Sequence, residues 1–523
     1  MAWYGWMVLE RNIGWRQIIK PIDMFYAAAR ITPDAVAIDG PDTILRYGEL
    51  RKQVDALACA LQDLDSTPQS RVGICGYNSI EHLIALLATM AAGKVWVPLN
   101  PRDSKDELDA KLDAAKPSIL ILDEDCENKV TPLAPNILYG WGGGAKEIDT
   151  VDGKIALYYN KIPIRFNLKS KDTQAIKFTG GSSGKPKGVL QPYKAWVTGA
   201  ACMIHELGLR SSDRYLLAAP ITHGTSCYVT PTLAVGGTLV LGKRTMRPSE
   251  IIEAFSEQRV STTFIPPTVI YMMLAEIGGS VSFPHLKRLI YGGAPMPPEK
   301  IRETRSVFGD VVATNYGQTE APQVVTFLSP REMVDEDLVA SVGRASFLTR
   351  VEIMDPDSKK ILPAGEDGEI VLSGGLTMTG YLDMPEATAE VMHGNWLRTG
   401  DLGTLDDRGY LYLKDRLRDV IISGGFNVYP SDIEAALVKH PAVNECVVYG
   451  VEDEKWGEAV QAAVVLRKGA NVGVSELISF AKEAVGSVKA PKRIRILDDL
   501  PRSSVGKVVR RLVKEKALRG HPN

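Results

Sequence analysis

Between Ala35 and Leu122, short apolar runs alternate with helical stripes, and this alternation constrains the fold more than any other feature. Residues 35–38 and 43–47 read as short strands of a hairpin around Gly40-Pro41-Asp42. Tyr47, Leu50, Val54, Leu57 and Leu61 then step by three and four, which places them on one helical face. Residues 72–75 form an apolar strand, 79–92 a helical run and 119–122 another strand. Strand and helix in turn predict an α/β architecture with largely parallel sheets, because a helix between two strands carries the chain back to start a parallel neighbour. The most apolar stretch, residues 83–99, is broken by Gly93 and Lys94. It is too short and too interrupted to span a bilayer, so it reads as a buried helix followed by a strand.

From residue 351 the pattern changes. Residues 351–354, 368–372 and 410–413 read as strands joined by short turns, which predicts an antiparallel, barrel-like subdomain. The charged run Lys414-Asp415-Arg416-Leu417-Arg418-Asp419 separates this from a tail with its own helix (431–439), two strands (446–451 and 459–466) and a basic end. The expected division is a large domain of stacked βαβ sheets plus a small β-barrel subdomain, residues 1–417, and a small mobile α+β domain, residues 418–523. Gly140 to Gly144 could open a dinucleotide fingerprint, but no helix with an apolar stripe follows, so a surface loop is expected. Lys and Arg number 61 against 63 Asp and Glu, a net charge of −2, so no global positive charge draws nucleic acid or an anionic membrane. The six cysteines form no CxxC pair or zinc spacing, which suits a reducing compartment. The apolar start lacks a basic region and a cleavage site, and a cytoplasmic protein is expected.

Four segments carry chemistry. The first, Thr179-Gly180-Gly181-Ser182-Ser183-Gly184-Lys185-Pro186-Lys187-Gly188, follows the strand-like Ala175, Ile176 and Phe178. Its glycines let backbone N–H groups converge on an anion, and its hydroxyls and lysines suit phosphate oxygens. It is not a Walker A loop: Gly180 and Gly184 are one residue too close, and Pro186 stands where a magnesium-binding Ser or Thr would be. The second, Asn315-Tyr316-Gly317-Gln318-Thr319-Glu320, sets a ring, a hydroxyl and a carboxylate close together, with Gly317 expected to let the chain turn. Such a loop suits a base on Tyr316, a phosphate at Thr319 and Mg²⁺ at Glu320. The third is Arg398-Thr399-Gly400-Asp401 with Arg416 and Gly424-Gly425, where a carboxylate after a tight turn can accept ribose hydroxyls. The fourth is Pro501-Arg502-Ser503-Ser504-Val505-Gly506-Lys507.

In this order, and together with YGGAPMP (291–297) and DRLRDVIISGGFNVYPSDIE (415–434), these segments resemble the acyl-adenylate-forming superfamily over nearly the whole chain. That superfamily includes acyl- and aryl-CoA synthetases, luciferases and the adenylation domains of peptide synthetases. The resemblance implies an enzyme that activates a carboxylic acid with ATP as acyl-AMP, releasing pyrophosphate, and then passes the acyl group to a thiol. It implies that 179–187 fold over the β- and γ-phosphates. Gly292, Gly293 and Ala294 would line the adenine site with Asn315 and Tyr316. Thr319 would touch the α-phosphate, Glu320 would hold magnesium, and Asp401 and Arg416 the ribose. Lys507 would bridge the acid and the α-phosphate, a mobile cation between two anions that must meet. His223 would stand beside the acyl pocket. Gly424 and Gly425 would belong to a strand lining a pantetheine tunnel, and Trp456 to the CoA approach. Pocket positions would include Gly224, Thr225, Tyr228, Gly292, Gly317, Pro322 and Gln323.

The chain departs from the family pattern in places. Gly180 replaces a common Ser, Arg418 stands at the hinge where Asp or Lys is usual, and Ala91 and Ala490 occupy two CoA-gripping positions, with Lys489 and Lys492 nearby. The leading expectation is a stand-alone acyl- or aryl-CoA ligase using ATP, Mg²⁺ and coenzyme A. Its acid is expected to be aromatic or cyclic, or of medium chain. The alternatives are an enzyme that loads a separate phosphopantetheine carrier protein, or a nucleotide-binding protein without catalysis. Lys507 and Glu320 argue against the last.

Overall fold

The structure is a computed structural model that describes residues 19–131, 136–139, 149–179, 186–279, 281–502 and 508–519. The chain divides into two compact units. One comprises residues 1–350 and 372–397, the other 351–371 and 398–523.

The first unit is built on two sheets. One has nine strands, in the order Arg344–Ala345, Ala321–Leu328, Val312–Gln318, Arg288–Tyr291, Thr262–Ile265, Arg214–Leu216, Thr238–Val240, Val36–Asp39 and Ile44–Arg46. Its middle strands pair in parallel and its edge strands pair antiparallel. The other has seven: Gly380–Tyr381, Lys187–Pro192, Thr173–Thr179, Val95–Leu99, Arg71–Cys75, Ile119–Leu122 and Asn136–Tyr139. The helix Tyr47–Leu64 buries Leu50, Val54, Leu57 and Leu61 as its stripe predicts. The helix Ile80–Ala91 starts at Ser79, whose hydroxyl accepts the His82 N–H at 3.1 Å, one of the donors a helix start leaves unpaired. Gly93 then takes φ +68, which ends the helix and lets Val95–Leu99 begin as a fully buried strand. One apolar cluster joins Leu57 and Leu87 to Ile38 and Ile290 of the first sheet and to Ile74 and Trp96 of the second, so these helices fill the space between two sheets. Among the described residues no helix is long and apolar enough to cross a membrane.

In the second unit a five-stranded sheet runs Phe426–Val428, Ile421–Ser423, Gly457–Leu466 and Val443–Asp453, with Arg493–Ile496 alongside Gly457–Leu466. Its two long strands obey the period of two. Val448, Val460, Ala462 and Val464 face a core with Ile433, Leu437 and Leu477, while Val447, Tyr449 and Ala463 face another with Val513 and Ala517. The sheet is therefore covered on both sides by helices, Pro430–Leu437 and Val474–Lys489 on one and Arg510–Arg519 on the other.

The β-rich segment expected after residue 351 is present as Thr349–Met354, Gly368–Gly374, Trp396–Leu405 and Leu411–Arg416. Compactness groups most of it with the C-terminal sheet, whereas the charged run suggested a boundary at 417/418. That boundary coincides with the short helical turn Leu417–Asp419, after which the C-terminal core begins at Ile421. The GWGGG segment lies outside the described residues.

Candidate active site

Thr179 ends its strand opposite Lys187, the first residue of an antiparallel return strand. The glycine-rich segment is thus the connection of a hairpin, unlike the strand-to-helix turn of a Walker A loop. Gly180, Gly181, Ser182, Ser183 and Gly184 lie outside the described residues.

At the base of this hairpin the chain assembles several of the expected groups. The Lys187 ammonium lies over the Tyr381 ring, 5.3 Å from its centroid. The Tyr381 hydroxyl donates to Glu320 Oε1 at 2.8 Å. Burial, then the Glu320 charge, push the Tyr381 hydroxyl above its ordinary pKa, so it stays protonated and donates. The Glu320 carbonyl accepts the Met378 N–H at 2.8 Å, and the Thr319 carbonyl accepts Gln191 Nε2 at 2.8 Å. Gln191 is aimed in turn by Trp196 Nε1, which donates to its Oε1 at 3.1 Å. The Thr319-Glu320 corner is therefore held by its backbone from two directions. Tyr381 and Gln191 were not singled out in the sequence, since neither lies in a segment whose local pattern signals chemistry.

The expectation that Gly317 turns the chain is corrected. Asn315, Tyr316 and Gly317 lie within the strand Val312–Gln318, and the turn falls at Thr319 and Glu320 before Ala321–Leu328. Gly317 sits at a register shift, where a Cβ would stand 2.6 Å from the Gln323 carbonyl oxygen. Its glycine serves close approach of two backbones across a bulge. Gln323 takes φ +69 there.

Close contacts link the expected pocket positions. A Cβ on Gly292 would lie 2.5 Å from Asn315 Oδ1, and one on Gly224 2.5 Å from Gln323 Oε1. The Tyr228 hydroxyl accepts Asn315 Nδ2 at 3.0 Å and Gln323 Nε2 at 3.3 Å. The Tyr228 ring stacks on Tyr215 at 4.9 Å and on Phe264 at 5.6 Å, a three-ring wall. Thr225, three residues before Tyr228, and Pro322, next to Gln323, are buried, Tyr316 is 7% exposed, and Gly293 lies exposed at φ +77, next to the half-buried Ala294. His223 sits inside a π-type turn, Ile221–Thr225, with its side chain exposed and its Nδ1 2.9 Å from Thr222 Oγ1. Such turns occur often at functional sites.

In the second unit Asp401 and Arg416 face each other across an antiparallel pair, and the Arg416 guanidinium meets the Asp401 carboxylate at 3.2 Å. Arg398, by contrast, is committed to the buried Glu369 at 2.7 Å, and Glu369 also accepts the Gly400 N–H at 3.0 Å. The expected tight turn before Asp401 is corrected: Asp401 lies within the strand Trp396–Leu405, and Glu369 holds the Gly400 backbone beside it. The expectation that Gly424 and Gly425 lie in a strand is corrected as well. They form the two-residue loop between Ile421–Ser423 and Phe426–Val428, with φ +59 and +83. A hairpin loop with both residues at positive φ matches the right-handed strand twist, and glycine adopts it without cost. The Gly424 N–H donates to the Trp456 carbonyl at 2.8 Å, and the Trp456 ring is flanked by Lys455 and Lys492 at 5.1 Å each. Ala490 is fully buried in the C-terminal core, and Lys492 joins Lys455 beside Trp456. Lys507 lies outside the described residues.

A magnesium–nucleotide complex suits these residues. The cradle at Gly292 admits no Cβ, and Glu320 has one carboxylate oxygen held by Tyr381 and a second for a cation. No cluster of three or more metal-ligating side chains occurs among the described residues, so Glu320 would supply one ligand, with phosphate oxygens and water completing the shell.

Comparison with known proteins agrees with this geometry. Residues 25–382 match the family described as AMP-binding enzyme, and residues 432–507 match the AMP-binding enzyme C-terminal domain. The chain is 34% identical to a feruloyl-CoA synthase of Amycolatopsis sp over 93% of its own length and 97% of that protein. It is 31% identical to a medium/long-chain-fatty-acid–CoA ligase, FadD8, of Mycobacterium tuberculosis over 92% and 87%. Among solved structures, the amide bond synthetase McbA from Marinactinospora thermotolerans superposes with a TM-score of 0.86 at 29% identity, covering 95% of this chain and 100% of that one. With the two matched regions and the Thr319-Glu320 corner in place, the chain belongs to the AMP-binding enzyme family.

Proposed function

We infer that this AMP-binding enzyme is an acid–thiol ligase acting on an aromatic or cyclic carboxylic acid. It activates the acid with ATP and Mg²⁺ as acyl-AMP, releasing pyrophosphate, and transfers the acyl group to coenzyme A. The observation that supports the activation step is the meeting of the Lys187 ammonium and the Glu320 carboxylate at Tyr381, with Thr179 the cross-strand partner of Lys187 and the Thr319 backbone held by Gln191. The acid's carboxylate oxygen attacks the α-phosphorus, the bond to pyrophosphate breaks, and Lys507 is the cation proposed to hold the two anions together. The thiol then attacks the acyl carbon and AMP leaves.

The preference for a ring rests on the wall of Tyr215, Tyr228 and Phe264, with Gln323 and Thr225 as hydrogen-bonding groups for a polar substituent. The feruloyl-CoA synthase relative supports a ring and the fatty-acid ligase relative a chain. Transfer to a carrier protein has no comparable support. A panel of aromatic, cyclic and fatty acids, scored by pyrophosphate release and by acyl-CoA mass, tests this reading. The expected result is highest kcat/KM for a ring-bearing acid and CoA-dependent thioester. Faster turnover of a fatty acid overturns the substrate class, and adenylation without thioester on CoA overturns the acceptor.

A further inference from the structure

Lys177 lies within the strand Thr173–Thr179, two residues before the glycine-rich segment begins. Its neighbours Ile176 and Phe178 pack on one side of the sheet, while Ala175 belongs to the core on the other. The period of two puts Lys177 on the Ala175 side. The side chain is buried, 7% exposed, and among the described residues its ammonium has no carboxylate for a hydrogen-bonding partner. It donates to the His223 carbonyl at 2.9 Å and to Ser226 Oγ at 2.7 Å, and Ser226 Oγ itself donates to the same carbonyl at 2.8 Å. The rings of Trp96 and Trp196 flank the ammonium at 5.0 and 5.5 Å.

Burying an ammonium costs stability, and an apolar side chain of similar length would fill this place with less cost. A charge inside a strand that faces an apolar core breaks the local rule, and such breaks are expected where function is served. Here the charge is spent on one point of the backbone. His223 has extended angles, φ −112 and ψ −143, inside the turn Ile221–Thr225, and its carbonyl is the atom that Lys177 and Ser226 both grip. The imidazole, on the same residue, is exposed.

We propose that Lys177 is a positioning residue for the acid: by holding the His223 carbonyl it fixes the π-type turn and so the direction in which the His223 imidazole meets the bound acid. The proposal rests on the reading that His223 lines the acyl pocket. It also ties the acyl pocket to the phosphate-binding hairpin through one strand, since Lys177 and Thr179 belong to the same element. Burial lowers the Lys177 pKa, in keeping with an ammonium held by neutral acceptors.

A double-mutant cycle with Lys177→Met and His223→Ala tests this, read by steady-state pyrophosphate release and thermal melting. Lys177→Met is expected to lower kcat/KM for the acid about tenfold, mainly through KM, with KM for MgATP within about twofold of wild type. Its melting temperature should equal or exceed that of wild type. The double variant should be no worse than His223→Ala, because Lys177 acts through His223. In protein labelled with ¹³C-histidine, the His223 resonance, assigned by its loss in His223→Ala, should move or broaden in Lys177→Met. Should that variant fail to fold, Lys177→Gln, which keeps an amide donor, enters the same cycle. Multiplying effects in the double variant, an unmoved His223 resonance, or equal loss toward acid and ATP together with a lowered melting point each overturn the proposal. Wild-type rates in His223→Ala alone overturn the pocket reading beneath it, and that outcome is distinct from the others because Lys177→Met is not needed to see it.

Discussion

Glu320 is proposed to share one carboxylate between structure and chemistry. One oxygen accepts the Tyr381 hydroxyl and the residue's carbonyl accepts the Met378 N–H, so the side chain and the backbone at Glu320 are both held. Glu320→Gln keeps the volume and can still accept the Tyr381 hydroxyl, but it removes the anion. Adenylation is expected to fall about a hundredfold or more at ordinary magnesium concentrations, with partial recovery at high magnesium, since a hard cation would lose its proposed protein oxygen ligand. Pyrophosphate release near the wild-type rate would show that Glu320 does not serve the metal. His82 belongs to the same scale but to stability. It is fully buried, its Nδ1 is 3.0 Å from the Tyr77 carbonyl, and burial brings its pKa down from 6.5 to about 4. The unfolded chain therefore binds a proton that the folded chain refuses between those values. Stability conferred by neutral His82 is fully present above pH 6.5 and is lost as pH falls toward 4, by about 3 kcal/mol in all. A His82→Gln variant should show a smaller drop in its urea midpoint over this window than wild type does, and an unchanged drop would assign the acid sensitivity elsewhere.

At the scale of elements, the hairpin Ile421–Ser423 to Phe426–Val428 presents Gly425 at φ +83, and among the described residues a Cβ there meets no atom within 4 Å. Gly424 differs, because a Cβ would stand 3.0 Å from the Trp456 ring. Gly425→Leu thus adds four carbons into open space, with a backbone penalty of about 1–2 kcal/mol for positive φ. Gly425→Asn tolerates that conformation and serves as the control for it. If the loop lines the path of the thiol, Gly425→Leu should keep single-turnover pyrophosphate release and lose acyl-CoA output, while Gly425→Asn keeps more of both. A leucine variant that melts normally and makes acyl-CoA at the wild-type rate removes the loop from the thiol path.

For the whole molecule, the test is whether the two half-reactions draw on different residues. Lys507, at the end of the matched C-terminal region, is proposed to serve the first alone. Lys507→Ala should lower acyl-AMP formation roughly 10²–10³-fold, as for loss of one transition-state charge stabiliser, while conversion of supplied acyl-AMP to acyl-CoA stays near wild type. Equal damage to both steps would make Lys507 structural or part of the thiol step.

What the amino-acid order determined by itself is local. The stripe of Leu50, Val54, Leu57 and Leu61 buried as its spacing requires, the 83–99 run resolved into helix and strand at Gly93, and the motif segments marked the family, because glycine, charge and periodicity act over a few residues. Tertiary structure decided what depends on partners distant in sequence. Gly317 and Gly425 carried a glycine signal that sequence could not convert into bulge or hairpin loop, since the strand opposite settles which it is. Tyr381 and Gln191 acquire their roles only when Lys187–Pro192 brings its neighbours to the Thr319-Glu320 corner. Lys177, a charge in an apolar strand, gains meaning solely from the His223 carbonyl it meets 46 positions away, because a hydrogen bond is fixed by distance in space and not by distance along the chain.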